Sequence, residues 1–187
     1  MSFLLPMAFD HYSQNGYLLI DVPYIVDVDV TAQSKPGWAR DLKHGENKAY
    51  VGSGEQSFIQ MMKECTLRNG KSMCITPCFR DEETLDDLHL QMFLKVELIY
   101  FSKTWNDEYV YHAERRERLS DMMDTAYDFF SRWGDNITVI NTDKDQYDIC
   151  SNGVEVGSYG FRETEYGRFV YGTGLALPRF TQTIEEE

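Results

Sequence analysis

Apolar side chains recur at loosely helical spacing over residues 3–15 in spite of Pro6, and Asn15-Gly16 supplies a stop before the apolar run 17–23 (YLLIDVP). The pattern predicts helix, turn and strand. Residues 31–48 are polar and without period, with Pro36, Gly37 and Gly45, which suits a plain surface loop or a lid over a site. Tyr50-Val51 reads as a short strand and Gly52-Ser53-Gly54 as a turn. A helix then opens over 55–64, with Phe58, Met61 and Met62 on one side, and ends across 67–70. Two strand-like runs, 72–79 (SMCITPCF) and 93–101 (FLKVELIYF), flank the charged stretch 81–89 and predict a long β-hairpin with an acidic tip. From 107 to 133, Val110, Leu119, Met122, Met123, Ala126, Phe129, Phe130 and Trp133 keep helical spacing up to Gly134. Residues 137–180, rich in Gly, Val, Ile and Tyr, read as three or four antiparallel strands. The order implies a single α+β domain over 1–187, built on an antiparallel sheet.

Composition narrows the function. The chain has 187 residues, 42% of them hydrophobic, enough for one well-buried domain. With 31 acidic against 18 basic side chains the formal charge is -13, so a surface that grips a phosphate backbone through many cations is not expected, and bulk nucleic-acid binding is disfavoured. No apolar stretch reaches the length of a membrane span, and MSFLLPMAF lacks a basic n-region and a cleavage site, so a cytoplasmic protein is expected. Cys65, Cys74, Cys78 and Cys150 are accordingly expected as thiols, with Cys74 and Cys78 buried on a strand in preference to a metal site.

Neither GxxxxGK[ST] nor a GxGxxG after a strand is present, so any nucleotide must be held by side chains. Arg80, Arg162 and Arg179 each sit in a strand-like run, and guanidinium groups pair bidentately with phosphate or carboxylate. Read alone, each is more simply a surface ion pair.

Five segments in order, YLLIDVPYI, GSGEQSF, PCFRDEETLDDLHLQMFLKVELI, YDICSNGVEVGSYGFRE and YGTGLALPRF, resemble the catalytic core of class II aminoacyl-tRNA synthetases, in particular the aspartyl, asparaginyl and lysyl branch and ammonia-dependent asparagine synthetase. The resemblance covers nearly the whole chain and implies a six-stranded antiparallel sheet flanked by helices, binding bent ATP. A stand-alone core with no anticodon-binding domain is expected. Gly16 and Pro23 match the first motif, which forms the dimer interface in the family; read alone they are an ordinary turn and an edge proline. Arg80 and Glu82 match F-R-x-E, where the Arg holds the α-phosphate and the acid meets adenine. In the spacing His89-x3-Phe93-x3-Glu97, the residue like His89 approaches the terminal phosphate, Phe93 stacks under adenine and Glu97 faces the substrate ammonium. Strand alternation puts Phe93, Lys95 and Glu97 on one face, although Phe93 taken alone is better explained by core packing. Asp148 and Glu155 resemble the acids that coordinate magnesium between phosphates; otherwise they are solvated acids. Gln56 resembles the residue that contacts the ammonium, Arg162 the one that grips the substrate side chain, and Arg179 the third-motif arginine against adenine.

The resemblance implies ATP-dependent activation of an amino acid, acidic or amide in type, as an aminoacyl adenylate, with ATP and Mg2+ required and the acceptor open. A tRNA acceptor end stays among the possible acceptors. The alternatives are asparagine-synthetase-like amidation of aspartate and a non-catalytic paralogue acting as a binding or regulatory module. Departures are Pro178 before Arg179, a shortened helix after it, a short turn around Gly167, a long acidic tip and Ile59 where the aspartyl type has a lysine. A homodimer through residues 1–30 is expected, because Leu18, Ile20, Val22 and Ile25 are more apolar surface than one small domain covers.

Overall fold

In a computed structural model of the protein, which describes residues 3–37, 39–81 and 90–184, the chain starts with helix α1, Leu4–Gln14. It buries Leu4, Ala8, His11 and Tyr12 as one stripe and leaves Phe3, Met7 and Phe9 exposed. Gly16, at φ +85°, turns the chain out of the helix in a conformation that L side chains rarely adopt. The strand expected over 17–23 contracts to β1, Leu18–Leu19. Ile20 still donates its N–H to the Met73 carbonyl, but Pro23 has no N–H with which to continue the ladder.

Two short elements were not foreseen in the sequence. Strand β2, Ile25–Asp27, pairs antiparallel with β3, Lys48–Tyr50, and helix α2, Val28–Thr31, follows β2. Helix α3, Gly54–Lys63, begins at Gly54, which the sequence reading gave to a turn, because the Ser53 hydroxyl caps it. It ends earlier than the predicted 67–70, and Gly70, at φ +96°, instead opens β4, Gly70–Phe79. β4 pairs with β5, Met92–Phe101, along their full length, from Gly70 opposite Phe101 to Phe79 opposite Met92. This is the predicted hairpin; the greater part of its acidic tip, including Glu82 and His89, lies outside the described residues.

A short 3-10 turn, Lys103–Asn106, leads to α4, Glu108–Trp133. The Asp107 carboxylate caps it by accepting the N–H groups of Tyr109 and Val110 at 2.9 and 3.2 Å. Strands β6 (Thr138–Asp143), β7 (Gln146–Ser151), β8 (Val154–Thr164) and β9 (Gly167–Leu177) then form an antiparallel series, closed by a 3-10 turn, Phe180–Thr183.

The main sheet runs β1-β4-β5-β9-β8-β7-β6. Six strands are antiparallel, as expected, and β1 adds a seventh, parallel to β4, at one edge. One core fills the space between this sheet and helices α1 and α4, where Phe129, Phe130 and Phe180 meet edge to face or tilted. Full burial of one such ring contributes about 2 kcal/mol. A second core, around Val30, Phe58, Ile59 and Phe169, anchors α3. Ile20 and Val22 pack against it, so of the four residues expected to need outside cover only Leu18 is exposed, at 46%. No helix among the described residues is long and apolar enough to cross a membrane. Cys74 and Cys78 are buried on β4, and burial pushes the Cys78 thiol up to about 12.

Candidate functional site

Strands β5, β8 and β9 present one face to a cavity of about 720 Å³. Lys95 and Glu97 reach it from β5, Ser158 and Arg162 from β8, and Tyr171 and Thr173 from β9. The start of α3 supplies Ser53, Glu55 and Gln56 as one wall. Ser34, Lys35, Pro36, Ala39, Arg40 and Asp41, from the polar loop after α2, form another, so this loop is part of the site. A smaller cavity of about 50 Å³ adjoins through Arg80, Lys95, Glu155 and Thr173, which line both, and adds Phe93 and Arg179. Seven of the sequence-predicted residues, Arg80, Phe93, Glu97, Gln56, Arg162, Glu155 and Arg179, are thereby brought together. Asp148 lines neither cavity, and Glu82 and His89 lie outside the described residues.

Strand irregularities set these faces. Between Ile149 and Cys150 the β7–β8 register shifts from Gly157 to Glu155, making Val156 the extra residue of a bulge. Glu155 therefore shares a face with Ser158. A second shift, between Val96 and Glu97, skips Gly174 on β9. Tyr12 of α1 packs there, donating its hydroxyl to the Gly174 carbonyl at 2.8 Å, where a Cβ would stand 2.8 Å from its ring.

The end of the cavity nearest α3 is densely bonded. Glu97 is buried; Lys95 Nζ lies 2.5 Å from its Oε1, and the Ser53 hydroxyl donates to the same oxygen. Gly54 makes that approach possible, since a Cβ would stand 2.6 Å from Glu97 Cγ. The Gln56 carbonyl accepts the Gly52 N–H at 2.8 Å, and its amide reaches the Thr31 carbonyl at 3.4 Å. Arg162 lies with its guanidinium 4.8 Å over the Tyr171 ring and donates from Nε and Nη2 to the two Glu55 oxygens at 2.7 and 3.3 Å. Its partner is thus neither Glu163, which binds Arg168 at 2.8 Å, nor Glu165, which accepts from Gln33. Burial pushes the Glu55 carboxyl above the ordinary glutamate range, and Arg162 opposes that push. Two more ion pairs close the loop wall, Lys35 with Asp41 at 2.5 Å and Arg40 with Asp81 at 3.2 Å.

At the other end, the Arg80 guanidinium lies 4.9 Å over the Phe93 ring and covers one of its faces. Arg179 Nη1 stands 3.7 Å from Glu155 Oε1. Asp148 faces Ser158 across β7 and β8; partial burial raises its carboxyl, the Ser158 hydrogen bond lowers it and the Glu155 charge raises it again. The β7–β8 register, with Asp148 opposite Ser158 and Glu155 opposite Cys150, puts the two carboxylates on one face, a donor pair of the kind a hard cation shares with phosphate and water. No cluster of three or more His, Cys, Asp or Glu side chains suited to a metal occurs among the described residues.

Sequence reasoning missed Glu55, Ser158 and Tyr171 and gave Lys95 no role. For Lys95 the signal was present, since alternation already joined it to Phe93 and Glu97. Glu55 sits beside Gln56 in the first turn of α3, but nothing local ties it to Arg162.

No family model and no curated protein matches the sequence. Solved structures do match the fold. A pyrrolysyl-tRNA synthetase of Desulfitobacterium hafniense aligns with TM-score 0.68 at 15% identity, over 98% of this chain and 72% of that one. Seryl-tRNA synthetase from Pyrococcus horikoshii, complexed with ATP, aligns at 0.72 and 17% identity, over 96% and 49%. The cytoplasmic serine-tRNA ligase of Naegleria fowleri, in complex with AMP, aligns at 0.69 and 16% identity, over 96% and 46%. The chain spans about half the length of the two seryl proteins. Pyrrolysyl and seryl neighbours lend no support to the aspartyl, asparaginyl and lysyl branch that the motifs suggested. What they share with this chain is the antiparallel sheet and its flanking helices, so the protein has the fold of the class II aminoacyl-tRNA synthetase catalytic core.

Proposed function

We propose that the protein activates an amino acid with ATP, giving an aminoacyl adenylate and pyrophosphate. The observation that carries this reading is the joining of two cavities, one bearing Phe93, Arg179 and Arg80, the other Gln56, Glu97 and Arg162, in a fold whose neighbours include ATP and AMP complexes.

In this reading an amino-acid carboxylate oxygen attacks the α-phosphorus, the bond to the bridging oxygen of the β-phosphate breaks, and pyrophosphate leaves. The carboxylate is already ionised at neutral pH, so no general base is required. Arg80, lining both cavities, donates to the α-phosphate oxygens as charge gathers there, and Arg179 holds adenine against Phe93 and meets the terminal phosphate. Loss of one such donor typically costs on the order of 10²-fold in rate. Glu97 keeps Oε2 for the substrate ammonium while Lys95 and Ser53 hold Oε1. Gln56 offers the ammonium the second lone pair of its carbonyl. Glu82 and His89 take the adenine edge and the terminal phosphate. Asp148 and Glu155 would hold a magnesium ion, which supplies fixed positive charge beside the phosphates when bound. Glu155, which stands 3.7 Å from Arg179, would give up that guanidinium to hold the ion.

A polar side-chain preference read by Arg162 belongs to this proposal, as does reaction in the cytoplasm; the acidic half of the expected acidic-or-amide preference is not retained, because Glu55 already occupies two of the Arg162 donors. So does a homodimer through residues 1–30, supported by the exposed Phe3, Met7, Leu18, Leu19 and Tyr24. Light scattering at micromolar concentration checks it, and a monomer contradicts it. The activity is tested by incubating the protein with ATP, magnesium and single amino acids in hydroxylamine, which traps an aminoacyl adenylate as the hydroxamate and releases AMP. Hydroxamate with one amino acid supports activation; none with any supports the non-catalytic reading.

A further inference from the structure

Resting on that activation reading, we infer that the site selects an uncharged amino acid whose side chain both donates and accepts hydrogen bonds, a hydroxyl or a carboxamide, and discriminates against acidic, cationic and purely apolar side chains.

Arg162 carries the argument. A guanidinium with no protein partner would call for an anionic substrate, but two of its five N–H groups already bind both oxygens of Glu55. Glu55 is the inner member, with 9% of its side chain exposed, and Arg162 the outer, with 27%. The cavity therefore meets a pair of no net charge with N–H donors still available at its outer end, above the Tyr171 ring. An aspartate or glutamate carboxylate placed on those donors would also lie beside the Glu55 carboxylate, and like charges at short range are costly.

The other cations that line this cavity are already engaged, with Arg80 stacked over Phe93 beside the second cavity. Lys95 is bound to Glu97, Lys35 to Asp41 and Arg40 to Asp81. A lysine side chain would meet Arg162 at the mouth of the pair. An apolar one would strip water from the guanidinium donors and return no acceptor, the kind of mismatch that costs most in recognition. A hydroxyl or a carboxamide accepts from Arg162 and donates to a neighbouring oxygen of Glu55, Ser158 or Tyr171, all of which line the same cavity.

The test measures binding, so that it does not depend on turnover. Calorimetric titration of the intact protein with serine, threonine, asparagine, glutamine, aspartate, glutamate, lysine and leucine, singly, should show at least one of the first four binding about ten-fold or more tighter than any of the last four. Serine or threonine leading assigns a hydroxyl, and asparagine or glutamine a carboxamide. Glu55→Gln should move the preference about ten-fold toward the acidic amino acids, because it releases the Arg162 charge. If that variant does not fold, the wild-type panel alone decides. Aspartate or glutamate binding as tightly as the neutral set, lysine or leucine leading, or no binding at about 10 mM, well above ordinary KM values, overturns the inference. Selective binding of a neutral amino acid without adenylate formation overturns activation and leaves this selectivity standing; an acidic amino acid both bound and activated does the reverse.

Discussion

Glu155 and Arg162 lie seven residues apart on β8, an odd separation that puts side chains on opposite faces of a regular strand, yet both line the same cavity. The extra residue Val156, bulged against β7, restores the parity. One local irregularity thus joins the residue proposed to bind metal to the residue proposed to read the side chain.

Glu155→Ala is expected to lower magnesium-dependent ATP affinity about ten-fold and to leave metal-free binding nearly unchanged. Arg179→Ala should weaken binding in both conditions, because its proposed contacts are to the nucleotide itself. Calorimetry with magnesium and with excess chelator separates the two; wild-type affinity that is identical in chelator contradicts the assignment of Asp148 and Glu155.

Asp148 gives a pH signature. Its carboxyl is raised by partial burial and by Glu155, and to act as the proposed metal ligand it must be deprotonated. Magnesium-dependent ATP affinity should therefore begin to fall, as pH is lowered, above the ordinary aspartate value of 3.8. Asp148→Asn should remove that acid limb together with most of the magnesium dependence.

Gly54→Ala tests the packing under the site. Its Cβ would stand 2.6 Å from Glu97 Cγ and 2.9 Å from Cys74 Sγ, both buried, so α3 must shift. A loss of about 1–3 kcal/mol in denaturant unfolding is expected, with weaker amino-acid binding as Glu97 moves. Gly153→Ala is the control for position in space, since nothing lies within 4 Å of its added Cβ; strain at φ +81° is all it feels.

Acid stability is tied to Asp27, whose carboxyl is lowered to about 2 by Lys63 first and then Lys48. A depressed folded-state value means that the contribution is present above the ordinary 3.8 and is lost as pH falls through about 2. Solvent screening keeps it to about 1 kcal/mol or less. Asp27→Asn should flatten the pH dependence of unfolding in that window and leave stability at low pH unchanged.

Helix α4, the β4–β5 hairpin and the four C-terminal strands were legible because long periodic runs end at glycine or carry a cap, as at Gly134 and Asp107. β2 and α2 were not, since three or four residues hold no period. The bulges at Val156 and Gly174 leave no trace in composition, because register is decided by pairing with another strand. The site residues found from sequence were those in spaced motifs. Glu55 escaped because its partner Arg162 is 107 residues away, a contact that only the assembled sheet and α3 create.

The measurement that bears most directly on the central claim is exchange of labelled pyrophosphate into ATP, with magnesium and each amino acid in turn. Reversible adenylate formation predicts exchange that depends on one amino acid, vanishes in chelator and falls on the order of 10²-fold in Arg80→Ala. Exchange absent with every amino acid, from a protein that binds ATP and magnesium, would contradict it.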